Sequence, residues 1–113
     1  MKIIFLDIDG VLNCQNWYKQ AHQFKGEPNK FHFAPYLVEN LNKITDKTGA
    51  KIVLTSTWRK GKTIEQLKEL FDEVGITGKL IGKTTVLHFS NWGRSVPRGC
   101  EILHWMEENK GIL

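Results

Sequence analysis

Two cysteines, Cys14 and Cys100, are the only thiols in 113 residues, so at most one disulfide could form. A disulfide framework is thereby excluded, and without a secretory signal the chain reads as a reduced, cytoplasmic protein. The opening Met1-Lys2-Ile3-Ile4-Phe5-Leu6 stops at Asp7 with no small-residue cleavage site behind it, which is not the pattern of a signal peptide. No apolar run approaches the roughly 20 residues of a spanning helix, so no membrane partner is expected. Repeats, low-complexity tracts and linkers are also missing, and the length suits one domain over residues 1–113. Charge of one sign is scarcely in excess: 16 Lys and Arg stand against 12 Asp and Glu, a net +4. That balance suits an anionic substrate and leaves nucleic acid open as a partner, though many small basic proteins carry as much for solubility. His22, His32, His88 and His104 have no metal-ligand spacing. With 41% hydrophobic and 25% charged residues, the chain has the composition of an ordinary folded domain.

What is present alternates in type. Lys2 to Leu6 is a continuous apolar run ended by an acid and a glycine, the pattern of a buried, parallel strand. Lys51-Ile52-Val53-Leu54 is a second. Between them Leu37, Val38, Leu41 and Ile44 are expected on one helix face, with Pro35 in the first turn and Gly49 as the stop. Thr63-Ile64-Glu65-Gln66 reads as a capping box opening a helix with Ile64, Leu67, Phe71 and Val74 on its apolar face and Gly75 at its end. A short strand follows around Leu80-Ile81, then a helix after Pro97 with Ile102, Trp105, Met106 and Asn109 along one side and Gly111 near its end. Strand, helix, strand builds a parallel sheet, so the fold class is α/β with a small parallel sheet flanked by helices. Residues 13–33 break the rhythm, holding Trp17, Tyr18, Phe24, Phe31 and Phe33 among polar residues. They form either a flap over a site or a loop that lays its aromatics on the core.

The chemistry lies in Phe5-Leu6-Asp7-Ile8-Asp9-Gly10-Val11-Leu12-Asn13. Two carboxylates at the end of a buried strand are costly unless something cationic compensates them. Ligands of open α/β sheets bind just outside the carboxyl ends of the strands, which is where Asp7 and Asp9 stand, with a turn at Gly10. Two acids with a carbonyl between them suit a hard, oxygen-seeking ion such as Mg²⁺. A calcium loop counted from Asp7 would need a glycine and a glutamate where Leu12 and Tyr18 stand, so that reading fails. A tight turn using its acids only for backbone hydrogen bonds is the plainer alternative.

This stretch resembles the first motif of the haloacid dehalogenase (HAD) superfamily of phosphohydrolases. Thr48-Gly49-Ala50-Lys51-Ile52-Val53-Leu54-Thr55-Ser56-Thr57-Trp58-Arg59 is similar to the helix end, apolar strand and hydroxyl run of the small HAD domains in Swiss army knife RNA-repair proteins. Arg98-Gly99-Cys100-Glu101-Ile102-Leu103-His104-Trp105-Met106 resembles the basic residue and helix of the superfamily's third motif. The resemblance implies a Rossmann-like fold and Mg²⁺-dependent hydrolysis of a phosphomonoester, such as a nucleotide or nucleic-acid end, through an aspartyl-phosphate. Asp7 would be the nucleophile and Asp9 the general acid and then base. Asp7 and Asp9 would hold the metal, Asp9 through its main-chain carbonyl. Thr55 would bind a phosphoryl oxygen, with Ser56 as the alternative, and Gly10, Ser56 and Arg59 would line the substrate site. Arg59 is equally well a surface cation. Arg98 would neutralise the transferring group and hold Asp7 ionised, with a fork where many relatives place a lysine.

One part of the superfamily pattern is not found. Relatives continue into a further strand ending in aspartates, one of which binds Mg²⁺, whereas the acids after Arg98 here are Glu101, Glu107 and Glu108, all on the expected helix. A metal site short of one carboxylate should bind Mg²⁺ more weakly, and the first strand should be left with an open edge. The expectation is therefore a homodimer through that edge, an element swap, or a piece of a longer gene product. The competing function is a catalytically inactive HAD-like module that binds a partner or nucleic acid.

Overall fold

Short apolar runs separated by amphipathic stretches become β1 (Ile3–Leu6), α1 (Pro35–Thr48), β2 (Lys51–Leu54), α2 (Ile64–Val74), β3 (Leu80–Lys83) and α3 (Arg98–Glu108). The computed structural model describes residues 1–13, 33–56, 60–86 and 97–112. Among these, the three strands form one parallel sheet in the order β1-β2-β3, so β1 is paired on one side only. Phe5 lies beside Val53, and Val53 beside Gly82, across the sheet.

Alternation along the strands divides the core between two faces. Leu6, Ile8, Ile52 and Leu54 turn to one side and pack with Val38 and Leu41 of α1 and Leu67, Leu70 and Phe71 of α2. The other face carries Phe5, whose ring meets Trp105 of α3 edge-to-face at 5.7 Å between centroids. Trp105 reaches across to β3, where a Cβ added to Gly82 would stand 3.2 Å from the indole Nε1. Gly82 thus lets α3 approach the sheet closely enough to cover the Phe5–Val53–Gly82 row.

The helix boundaries follow the expected signals. Pro35 begins α1 and Gly49 closes it. The capping box of α2 is complete: Gln66 N–H donates to Thr63 Oγ1 at 3.1 Å, and Thr63 N–H donates to Gln66 Oε1 at 2.9 Å. Helix α3 is closed by Asn109, whose backbone N–H reaches the carbonyls of Trp105 and Met106, with Gly111 two residues beyond.

Two helix faces differ from expectation. In α1 the buried residues are Val38, Leu41 and Thr45, while Ile44 is exposed. At about 100° per residue, Thr45 falls in line with Val38 and Ile44 about 120° away, so the face set by Val38 leaves Ile44 outside. In α3 the buried pair is Glu101 and Trp105, one turn apart, while Met106 is exposed.

The flap expected over 13–33 lies outside the described residues except for its ends. Those ends are fixed. Ala34 N–H donates to the Leu12 carbonyl at 2.8 Å, and Leu12 and Phe33 are buried in the core. No helix among the described residues is long and apolar enough to cross a membrane.

Candidate active site

Asp7 is the first residue past β1, and the chain turns immediately after it. Val11 N–H and Leu12 N–H both donate to the Ile8 carbonyl, at 3.0 and 2.8 Å, and close one tight turn. Gly10 holds φ at +81° with nothing within 4 Å of an added Cβ, so conformation rather than space calls for glycine. Ile8 is completely buried, while Asp7 is half-buried and Asp9 is exposed in the turn that follows β1.

Asp7 meets its cation there. Ile8 N–H donates to Asp7 Oδ1 at 2.9 Å, and Arg98 Nη1 stands 3.4 Å from the same oxygen. Arg98 is the first residue of α3, and its Nη1 also donates to the Thr55 carbonyl at the end of β2. One guanidinium therefore ties α3 to β2 while facing the carboxylate that follows β1. The Asp7 and Arg98 side chains keep 46% and 41% of their surface exposed, enough for an incoming ligand to touch both.

Thr55 and Ser56 are buried at the same end of the sheet. Thr55 N–H and Oγ1 both donate to the Leu6 carbonyl, at 2.9 and 3.1 Å, which draws β1 and β2 together beneath Asp7. Thr84 closes the row, its N–H donating to the Leu54 carbonyl at 2.9 Å. Arg59 lies outside the described residues, as do Cys14, His22, His32 and His88. Cys100 is an exposed free thiol.

Asn13 and Glu101 are two polar residues near the site whose placement the sequence does not announce. Asn13 is buried; its Oδ1 accepts from Gly10 N–H at 3.0 Å and its Nδ2 donates to Asp9 Oδ1 at 3.1 Å. The signal was an amide four residues after Asp9, a spacing with many uses in turns. Glu101, expected on this helix without a stated face, is buried on the sheet side of α3 one turn from Arg98.

Among the described residues, no group of three or more His, Cys, Asp or Glu is assembled to hold a metal ion. The Asp7 carboxylate and the Asp9 main-chain carbonyl are hard oxygen donors, and Mg²⁺ commonly keeps several of its own waters beside one or two protein ligands. The donor chemistry fits Mg²⁺ on that sparse pattern.

Taken together, the C-terminal ends of β1 and β2 and the start of α3 converge on one half-open patch with a carboxylate, a guanidinium and buried hydroxyls. Compared with known families, residues 3–112 match the HAD domain in Swiss Army Knife RNA repair proteins. Neither the curated proteins nor the solved structures compared with the chain gave a match. Because the matched stretch spans nearly the whole chain and every residue of this site, the chain belongs to the HAD domains of Swiss Army Knife RNA repair proteins, a family of hydrolase or phosphatase type with a Rossmann-like α/β fold.

Proposed function

We propose that the chain is a Mg²⁺-dependent phosphohydrolase that cleaves a phosphomonoester through an aspartyl-phosphate. The observation that carries this reading is the Asp7–Arg98 pair, half exposed at the carboxyl ends of the strands, with Asp9 exposed in the turn that follows. A carboxylate Oδ of Asp7 attacks phosphorus in line, the bond from phosphorus to the leaving oxygen breaks, and the proton of the Asp9 carboxyl passes to that oxygen. Water then attacks the phosphorus of the acyl-phosphate and yields its proton to the Asp9 carboxylate. The bond from phosphorus to Asp7 breaks, and inorganic phosphate leaves with the residues as they began.

Arg98 opposes the charge that gathers on the phosphoryl oxygens, and its bond to the Thr55 carbonyl keeps it in place for that task. The Thr55 hydroxyl, turned toward the Leu6 carbonyl, can rotate its proton to a phosphoryl oxygen, with Ser56 beside it as the alternative donor. Mg²⁺ held by the Asp7 carboxylate and the Asp9 main-chain carbonyl would neutralise charge on the phosphoryl group.

A nucleic-acid or nucleotide end is the substrate class we favour. Lys60 and Lys62 lie between β2 and α2, Lys83 ends β3 and Arg98 opens α3, which supports an anion larger than one phosphate, and the family is that of RNA repair proteins. The test is hydrolysis of an aryl phosphate with Mg²⁺ and with chelator, beside the Asp7→Asn variant. Metal-dependent turnover lost in the variant is expected. No turnover by the unaltered chain would overturn the reading in favour of a binding module on the same scaffold.

A further inference from the structure

We infer that Asn13 is a positioning residue for Asp9 and selects which carboxyl oxygen of Asp9 exchanges a proton with the substrate. This rests on the reading of Asp9 as the acid–base group. The Asn13 amide is 3% exposed and held at both ends. Gly10 offers a backbone N–H, which can only donate, so the end of the amide that meets it at 3.0 Å must be the oxygen. The NH₂ end is thereby aimed at Asp9, where it donates to Oδ1 at 3.1 Å. A short backbone bridge between Asp9 and Asn13 fixes the two residues across the turn.

An oxygen that accepts this bond is the carbonyl-like oxygen of the acid when Asp9 is protonated, so the transferable proton belongs on Oδ2. In the first half-reaction that proton leaves Oδ2 for the departing oxygen; in the second, Oδ2 takes one from water. A buried amide with both ends bonded holds the Asp9 carboxylate in one rotation without waiting for substrate, which removes an orientational cost from each transfer.

A plainer role would have Asn13 only close the turn by satisfying Gly10 N–H. Asn13→Asp separates the two, because it keeps an acceptor for Gly10 and removes the donor to Asp9. Each variant is assayed with Mg²⁺ on 4-nitrophenyl phosphate, whose leaving oxygen needs little protonation, and on an alkyl phosphate, whose leaving oxygen needs it fully. Circular dichroism checks the fold, and Asn13→Ala, which adds no charge, serves as the second variant.

Positioning predicts that kcat/KM, which reports the first half-reaction, falls at least about tenfold further on the alkyl ester than on the nitrophenyl ester, while kcat falls on both wherever the shared hydrolysis of the aspartyl-phosphate limits turnover. The charge added by Asn13→Asp raises KM on both esters alike. Equal losses of kcat/KM on the two esters, or no loss, would overturn the assignment. An unaltered chain inert toward both esters would overturn the phosphohydrolase reading and this inference with it, a result distinct from an active chain whose variants lose activity without selectivity.

Discussion

Arg98 touches a carboxylate and a main-chain carbonyl with one nitrogen, so shortening it breaks two contacts at once. Arg98→Ala should lower kcat by about 10²–10³-fold, as loss of one preorganised donor commonly does. Arg98→Lys should recover only part of that, since an ammonium is a point charge without the guanidinium's planar fork. Steady-state rates on an aryl phosphate would check both, and an Arg98→Ala enzyme of unchanged rate would remove Arg98 from the chemistry. Thr55→Val isolates a different contact. The Leu6 carbonyl keeps its bond from Thr55 N–H, so stability should fall by only about 0.5–1.5 kcal/mol in chemical unfolding. A larger fractional loss of activity than of stability would mark the hydroxyl as a substrate contact. Asp7 and Asp9 stood out in the sequence as two acids that end an apolar run and need a cation, whereas Arg98 was named only through the resemblance to the third motif; the structure brings Arg98 to Asp7. The pairing of Asn13 with Asp9 was not legible, because an amide in a turn has many uses and only the direction of the Gly10 N–H narrows them.

Helices and strands were read best where one residue type did one job. The capping box at Thr63 and the Pro35 and Gly49 boundaries of α1 depend on contacts within a few residues, and they stand where the spacing put them. The buried faces of α1 and α3 depend on what lies opposite. Apolar Ile44 and Met106 were expected inward, yet Thr45 and Glu101 are inside because the angle of each helix is set by its strongest contact with the sheet. Trp105 is that contact for α3, and Trp105→Ala should cost about 3–5 kcal/mol, measured by denaturant unfolding. A loss below about 1 kcal/mol would mean α3 is held chiefly through Arg98. On the opposite face the fit between Thr45, Ile52 and Gly78 is close. A methyl at Gly78 would come within 2.8 Å of Ile52 Cδ1 and 2.9 Å of Thr45 Cγ2. Gly78→Ala should therefore destabilise by about 1–3 kcal/mol, the usual range for overpacking, in the same assay.

At the scale of the whole molecule, Asp7, the proposed nucleophile, follows the strand that is paired on one side among the described residues. We propose that a second copy pairs along β1, whose Ile3-Ile4-Phe5-Leu6 carries no charge or proline to discourage it. Sedimentation should then show a concentration-dependent dimer that Ile3→Lys dissolves, and a monomer at every concentration would refute it. The order of elements was visible in the alternation of apolar runs, and the two-faced sheet followed from it. The course of residues 14–32 was not, since aromatics without a period suit a flap and a packed loop alike. The Leu12–Ala34 hydrogen bond has a consequence for engineering. It brings the two sides of that segment together beside buried Leu12 and Phe33, so closing the chain across it requires little extra loop entropy. A few-residue turn could replace residues 14–32 while Asn13 and Phe33 stay in place, giving a minimal domain into which other recognition loops could be exchanged.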